Sequence, residues 1–435
     1  MSKNTFYISC PIDTYSGYSA RARDFAKAVI ELNLYDVKII PQRWGMTAWG
    51  FIDDHVEEWG FLKQYIVGPQ LTEKPDIWVQ ITIPSEFQPV GKWNIGLTAG
   101  IETTLCAPSW IEGCNRMDLI LTSSNHSKNT FLNTKYQQKD PQGNVVGALE
   151  ISKPIEVLIE GANLNIYKLL STFNSKELYE DINSIPEKFA FLSVGHWLPG
   201  NLGEDRKNMG LLVKAFYEIF KDKTHENQPA LILKTSGAGS SYMDRREIQK
   251  RINLISKSVP SKRLPSVYLL HGDFTDEEMN EIYNHPKIKA MVSLTKGEGF
   301  GRPLLEFSLV NKPIIASGWS GHTDFLKPEF SALLGGKLNP IHPTAIVKDI
   351  LIEGSQWFAP DHSHIGHFMK EVMEKYKEWG VKGRRQGYYS KTNFSFEKMK
   401  TQIEEILNKH VPELPKKISL VLPNLTEIPL PKRPE

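Results

Sequence analysis

Short apolar runs alternate with amphipathic helical segments along this chain, and the alternation occurs twice. In the first half TFYISC (5–10), DVKII (36–40), PDIWVQITI (75–83), WNIGL (93–97) and DLILTSS (118–124) read as strands. Between the first two lies GYSARARDFAKAVIEL (17–32), with Ala22, Phe25, Ala26, Val29 and Ile30 at helical spacing. The pattern restarts with KFAFLSV (188–194) and continues through PALILKT (229–235), SVYLLHG (266–272), KAMVSLT (289–295) and KPIIASG (312–318). Helical candidates at 209–220 and 276–284 separate these runs. Strands that are apolar throughout and separated by helices belong to parallel sheets covered on both faces. The expected fold class is therefore α/β, with two Rossmann-like, doubly wound domains facing across a cleft. The N-terminal domain is expected over 1–165 and the C-terminal domain over 166–390. An amphipathic helix within 391–410 should return to the N-terminal domain, and a proline-rich extended tail should occupy 411–435.

Length agrees, because 435 residues exceed one ordinary core. The 52 basic and 50 acidic residues nearly cancel, which argues against a surface devoted to nucleic-acid backbone. Cys10, Cys106 and Cys114 are odd in number and fit no metal-ligand spacing, so free thiols in a reducing compartment are expected. The start, MSKNTFYISC, lacks the apolar core of a signal peptide, and no run is long enough to cross a bilayer. The expected location is the cytoplasm. No Asp-x-Asp pair occurs, and no metal site is expected.

The chemistry concentrates in SLTKGEGFGRPLLE (293–306). It reads as a strand end, a glycine-rich loop and a helix start. Gly297, Gly299 and Gly301 permit close backbone approach and positive φ. Pro303 suits the first helical position. The free amides at this helix start would attract a diphosphate, and Lys296 could add charge. Two acids, Glu298 and Glu306, bracket the loop and need another explanation. A carboxylate accepts hydrogen bonds from vicinal hydroxyls. Glu306 could clamp a ribose diol, and Glu298 could hold hydroxyls beyond the diphosphate. Hydroxyls on both sides of a diphosphate describe a nucleotide sugar; the competing reading is a surface turn with two solvated acids.

GEGFGRPLLE followed by KPIIASGWSGHTDFL resembles the hallmark of glycosyltransferase family 4, which has the GT-B fold. The resemblance covers most of residues 1–408, most specifically 188–330, and extends to glycosyltransferases encoded by tailed bacteriophages, for which the location would be the host cytoplasm. It implies that Glu298 contacts the donor sugar, that Glu306 binds the ribose, and that the amides around Gly299, Phe300 and Gly301 bind phosphate. SVGHWLPGNLGEDRKNMGLLVKAF (193–216) resembles the segment whose lysine neutralises the diphosphate, here Lys207. The chain departs from the pattern at His196, where an arginine is usual; Arg206 or Lys296 could compensate. YLLHGDFTDEEMNEIY (268–283) resembles the segment that meets the base near Gly272 and Phe274.

In the first half, Gly17 is the candidate for close approach to the donor phosphates. GLTAGIETTLCAPSWIEGCNRMDLILTSSNHSKNTF (96–131) resembles a subset of the family and places Glu102 on the acceptor side, in an acceptor-facing or catalytic role. The competing reading makes Glu102 a helix-dipole acid. His126 is expected on a helix surface. Trp44, Trp49 and Trp59 could stack on a sugar or base, or simply staple the stretch 41–61 to its domain. The implied activity is retaining, metal-independent transfer, most simply of a hexose, from a nucleotide-diphosphate sugar. That donor is a co-substrate, and no cofactor is implied. The acceptor stays open among a glycan, a modified DNA base and a protein. The alternatives are a nucleotide-sugar epimerase of the same fold and a catalytically silent nucleotide-sugar-binding protein.

Overall fold

The structure, a computed structural model, describes residues 3–414 apart from 72, 225, 227, 238 and 240. The tail expected over 411–435 therefore lies mostly outside the described residues. In the N-terminal half the strands are β1 (Thr5–Cys10), β2 (Asp36–Pro41), β3 (Ile77–Ile81), β4 (Trp93–Leu97), β5 (Leu119–Thr122), β6 (Tyr136–Lys139), β7 (Val145–Leu149) and β8 (Ile155–Val157). The C-terminal half holds β9 (Ala190–Val194), β10 (Ala230–Lys234), β11 (Val267–Leu270), β12 (Ile288–Ser293), β13 (Ile314–Ser317), β14 (Ala332–Leu334), β15 (Gly336–Pro340) and β16 (Gln356–Pro360).

Two six-stranded sheets result, ordered β2-β1-β3-β4-β5-β8 and β11-β10-β9-β12-β13-β14. Their pairings are parallel, and every residue of β1 and of β3 is buried. A strand covered on both faces needs apolar residues in succession rather than in alternation, which is why these runs are legible in the sequence. In each sheet the chain reverses direction at the first strand, between β1 and β3 and between β9 and β12. Such switch points open a crevice at the carboxyl ends of the strands. The loops after β1, β9 and β12 carry Gly17, His196–Lys207 and Glu298.

The helix Phe396–His410 lies on the helix Gly17–Leu32, and its Met399, Ile403, Ile406 and Leu407 complete the N-terminal core with Phe25, Ala26 and Val29. The two chain segments that cross between domains pair with each other: Ala162 N–H donates to Phe394 O, and Phe396 N–H donates to Ala162 O, each at 2.9 Å. The antiparallel pair β15–β16 was not foreseen. It reaches back to the N-terminal domain, where Thr104 N–H donates to Gln356 O at 3.0 Å and Gln356 N–H to Thr104 Oγ1 at 2.9 Å. Four of the five β15 residues are exposed, so it lacks the continuous apolar signature of the central strands.

Candidate functional site

The loop after β12 is folded against the other domain. A Cβ on Gly297 would stand 1.9 Å from Glu102 O, and one on Gly299 would stand 2.3 Å from Ala99 O. Both glycines are thus required by the opposing backbone. Gly301 is required for a different reason, since it caps the helix Arg302–Ser308 at φ 95°. Pro303 occupies the second helical position rather than the expected first, because Arg302 already has helical geometry; an N–H there would also lack an intrahelical partner. The turn after β13 braces the loop. Glu298 N–H donates to Ser320 Oγ at 2.9 Å, and Gly321 N–H donates to Glu298 O at 2.9 Å. Buried His322 lies behind, its Nε2 2.6 Å from Ser317 O.

Glu298 is the centre of an ion cluster. Lys207 Nζ donates to its Oε1 at 2.6 Å, and Arg206 Nη1 approaches its Oε2 at 3.4 Å. Arg206 also donates to Gly297 O at 2.7 Å and pairs through Nη2 with Glu102 Oε1 at 3.3 Å. Burial alone would raise the Glu298 carboxyl; the two cations outweigh it and hold the group at about 2. Burial lowers the Lys207 ammonium from its ordinary value, with Glu298 pulling the other way. Glu298, Lys207, Arg206 and Glu102 are therefore brought together, with Glu102 contributed by the opposite domain.

Glu306 sits one turn into the same helix, and both its oxygens are engaged. Arg302 Nε donates to Oε1 at 3.0 Å and Tyr283 OH to Oε2 at 3.4 Å. Arg302 also holds Asp24 of the N-terminal domain at 2.6 Å. Because one guanidinium is shared between two carboxylates, it compensates Glu306 only in part. Burial pushes Glu306 up to about 8.

Lys296 is placed apart from this cluster. Its ammonium donates to Gly203 O and lies 4.2 Å from the Trp357 ring centroid, facing a separate cavity shared with Lys337 and His342. It was expected beside the diphosphate; its bond to Gly203 and its place over Trp357 hold it away from Glu298. Arg206 is committed to the two glutamates. His196 Nδ1 lies 3.2 Å from Ser236 Oγ, and burial, with Lys207 and Lys234 nearby, lowers it below the ordinary histidine value. Gly272 adopts φ 129° beside Phe274, and space around it is open. Gly17 opens its helix after the cap Ser16, also facing open space. Its neighbour Tyr18 reaches Thr98 Oγ1 at 2.9 Å, in the loop that touches Gly299.

His126 corrects the sequence reading. It is half-buried, its ring 4.5 Å from that of Trp319, and its Nε2 has no hydrogen-bond partner. Burial lowers it to about 4. The opposing domain supplies that burial, which one helix's periodicity cannot reveal. Trp59 is buried, Trp44 stacks on Tyr18 at 4.1 Å, and Trp49 stays exposed. Lys234, at the end of β10, was overlooked because its run reads as plain strand. Among the described residues no cluster of three or more His, Cys, Asp or Glu could hold a metal ion, and no helix is long and apolar enough to cross a membrane.

No protein-family model matches the sequence, and no curated protein matches it. Solved structures do. HepE of Anabaena, in complex with UDP-glucose, matches with a TM-score of 0.59 over 93% of this chain and 99% of its own, at 14% identity. A glycosyltransferase from Rickettsia africae and sucrose-phosphate synthase from Thermosynechococcus elongatus each match with a TM-score of 0.60 over 94% of this chain and 99% of theirs, at 12% identity. Likeness at such identities establishes the fold. The chain has the GT-B fold: two Rossmann-like domains facing across a cleft.

Proposed function

We propose that this protein is a glycosyltransferase that moves a sugar, most simply a hexose, from a nucleotide-diphosphate sugar to a hydroxyl acceptor, independently of metal and with retention of configuration. The observation that carries the reading is the Glu298 carboxylate, held ionised by Lys207 and Arg206 at the crevice between the two sheets. Without a donor this carboxylate occupies the cations. A diphosphate would compete for Lys207 and release Glu298 to accept hydrogen bonds from sugar hydroxyls. As the glycosidic bond breaks, charge grows on the leaving diphosphate, and the Lys207 ammonium favours that state over the ground state. Glu306 would take the ribose once Arg302 turns from it. Glu102 positions Arg206 from the acceptor side. HepE's complex with UDP-glucose supports the donor class; retention rests on the family resemblance.

Hydrolysis of UDP-glucose and other nucleotide sugars needs no acceptor and tests this directly. Wild type should hydrolyse at least one of them, with the rate unchanged by excess EDTA. Lys207→Ala should lower turnover about a hundredfold or more, and Lys207→Arg should recover only part of it. His196→Ala should lose far less, since His196 is neutral near pH 7. Tight binding without turnover would favour the silent binding protein. Loss with EDTA, restored by manganese, would defeat metal independence. Normal turnover by Lys207→Ala would displace Lys207 from its role.

A further inference from the structure

A half-buried ammonium without a counter-ion is unfavourable unless an anion meets it. Lys234 is half-buried, with Asp273 as its attracting charge and no direct ion pair among the described residues. It ends β10 at the carboxyl end of the C-terminal sheet, in register with Val194 on β9. Gly195 N–H donates to Lys234 O at 3.1 Å, which fixes Lys234 beside the loop that continues through His196 to Lys207. Its Nζ lies 5.5 Å from the Phe274 ring centroid. Burial lowers its pKa, and the attraction of Asp273 offsets that only in part. Phe274 also lines a cavity of 470 Å³ with Leu178, Leu269, Leu270, His271 and Arg245, a volume sufficient for a planar ring. Lys207, paired with Glu298, lies beside the same Gly195, where an added Cβ would stand 3.7 Å from the lysine Cδ.

We propose that Lys234 and Lys207 divide the diphosphate of the donor. With the base in the cavity at Phe274 and the sugar at Glu298, Lys234 takes the phosphate next to the ribose, and Lys207 takes the phosphate next to the sugar. Lys234 thereby supplies the charge that His196 does not. This rests on the nucleotide-sugar reading above.

The experiment is competition calorimetry with uridine, UMP and UDP, and with guanosine, GMP and GDP in parallel. The proteins are wild type, Lys234→Met, Lys234→Arg and Lys207→Met. Methionine keeps an unbranched stem over Phe274, and undiminished nucleoside binding verifies the fold of each variant. Lys234→Met should lose the affinity gained between nucleoside and monophosphate, about ten- to hundredfold, and keep the gain from monophosphate to diphosphate. Lys207→Met should show the reverse, and Lys234→Arg should regain part of the loss. Monophosphate binding by Lys234→Met at the wild-type level would overturn the division while leaving the nucleotide-sugar reading intact. If wild type binds neither diphosphate, that reading falls, and the division falls with it.

Discussion

Glu298 and Glu306 lie on one loop and helix, yet their surroundings push them in opposite directions. Glu298 faces two cations, Lys207 and an Arg206 that it shares with Glu102, whereas Glu306 has the single Arg302 and shares it with Asp24. Stability should therefore depend on pH with opposite signs at the two positions. The folded-state pKa of Glu298 is depressed to about 2, so its contribution is present above the ordinary value of 4.5 and is lost as pH falls from there towards 2. That of Glu306 is raised to about 8, so its contribution is greatest below 4.5 and is lost as pH rises to about 8. Thermal melting from pH 3 to pH 9 reads both. Glu298→Gln should melt below wild type at pH 7 and converge with it as the medium is acidified. Glu306→Gln should gain on wild type between pH 5 and pH 9. Parallel curves for either variant would show that the ion partners described do not set its state. At this scale the sequence was partly legible. Glu298 and the glycines announce themselves in one motif, and Lys207 in a second segment. Lys234, His126 and the Arg302–Asp24 pair do not, because their settings are made by residues distant in the chain.

Among the elements, the loop 295–301 shows how one residue type serves several demands. The sequence pattern marks three glycines but not what each faces. Gly297 and Gly299 lie against carbonyl oxygens of the N-terminal domain, Gly301 holds a left-handed cap, and Gly17 opens a helix with space around it. Alanine substitutions should separate these roles. Gly299→Ala drives a methyl into the Ala99 carbonyl, which is backbone and cannot swing aside. It should cost about 1–3 kcal/mol as in other overpacked sites and reduce activity with it. Gly17→Ala meets nothing and places a better helix former at a helix start, so the melting temperature should hold or rise slightly. If Gly17 faces the donor phosphates, its alanine variant should lose donor affinity while keeping stability. An unchanged affinity would remove Gly17 from the donor site, and an unchanged melting temperature for Gly299→Ala would mean the two domains do not meet at this loop. The central strands were readable because burial on both faces demands unbroken apolar runs. The β15–β16 pair escaped because β15 is mostly exposed and the pair's contact is with another domain.

In the whole molecule, charged groups contribute to closure of the cleft beside backbone and apolar contacts. Among the links that cross it are Arg302 to Asp24 at 2.6 Å, Arg206 to Glu102 at 3.3 Å, and Asp324 accepting from Asn125 N–H at 2.8 Å. The first is the most buried, since the Asp24 side chain is 9% exposed and that of Arg302 22%. Breaking one partner of a buried pair strands the other charge, which typically costs about 3–5 kcal/mol. Asp24→Ala should fall toward the low end of that range, because Arg302 keeps Glu306. The freed guanidinium can then give its full attraction to Glu306, so the residue expected to hold the ribose becomes more firmly engaged within its own domain. The variant should therefore show three changes together: a lower melting temperature, a larger radius of gyration by small-angle scattering, and weaker nucleotide binding. Replacing both Asp24 and Arg302 by leucine separates charge from closure. It removes the stranded cation and leaves an apolar contact between the domains, so compactness should return. Glu306, losing its only cation, should then be neutral across a wider range of pH. A radius of gyration in Asp24→Ala equal to that of wild type would show that the apolar contacts of Phe396–His410 and the Ala162–Ser395 crossing hold the domains together without the ion pair.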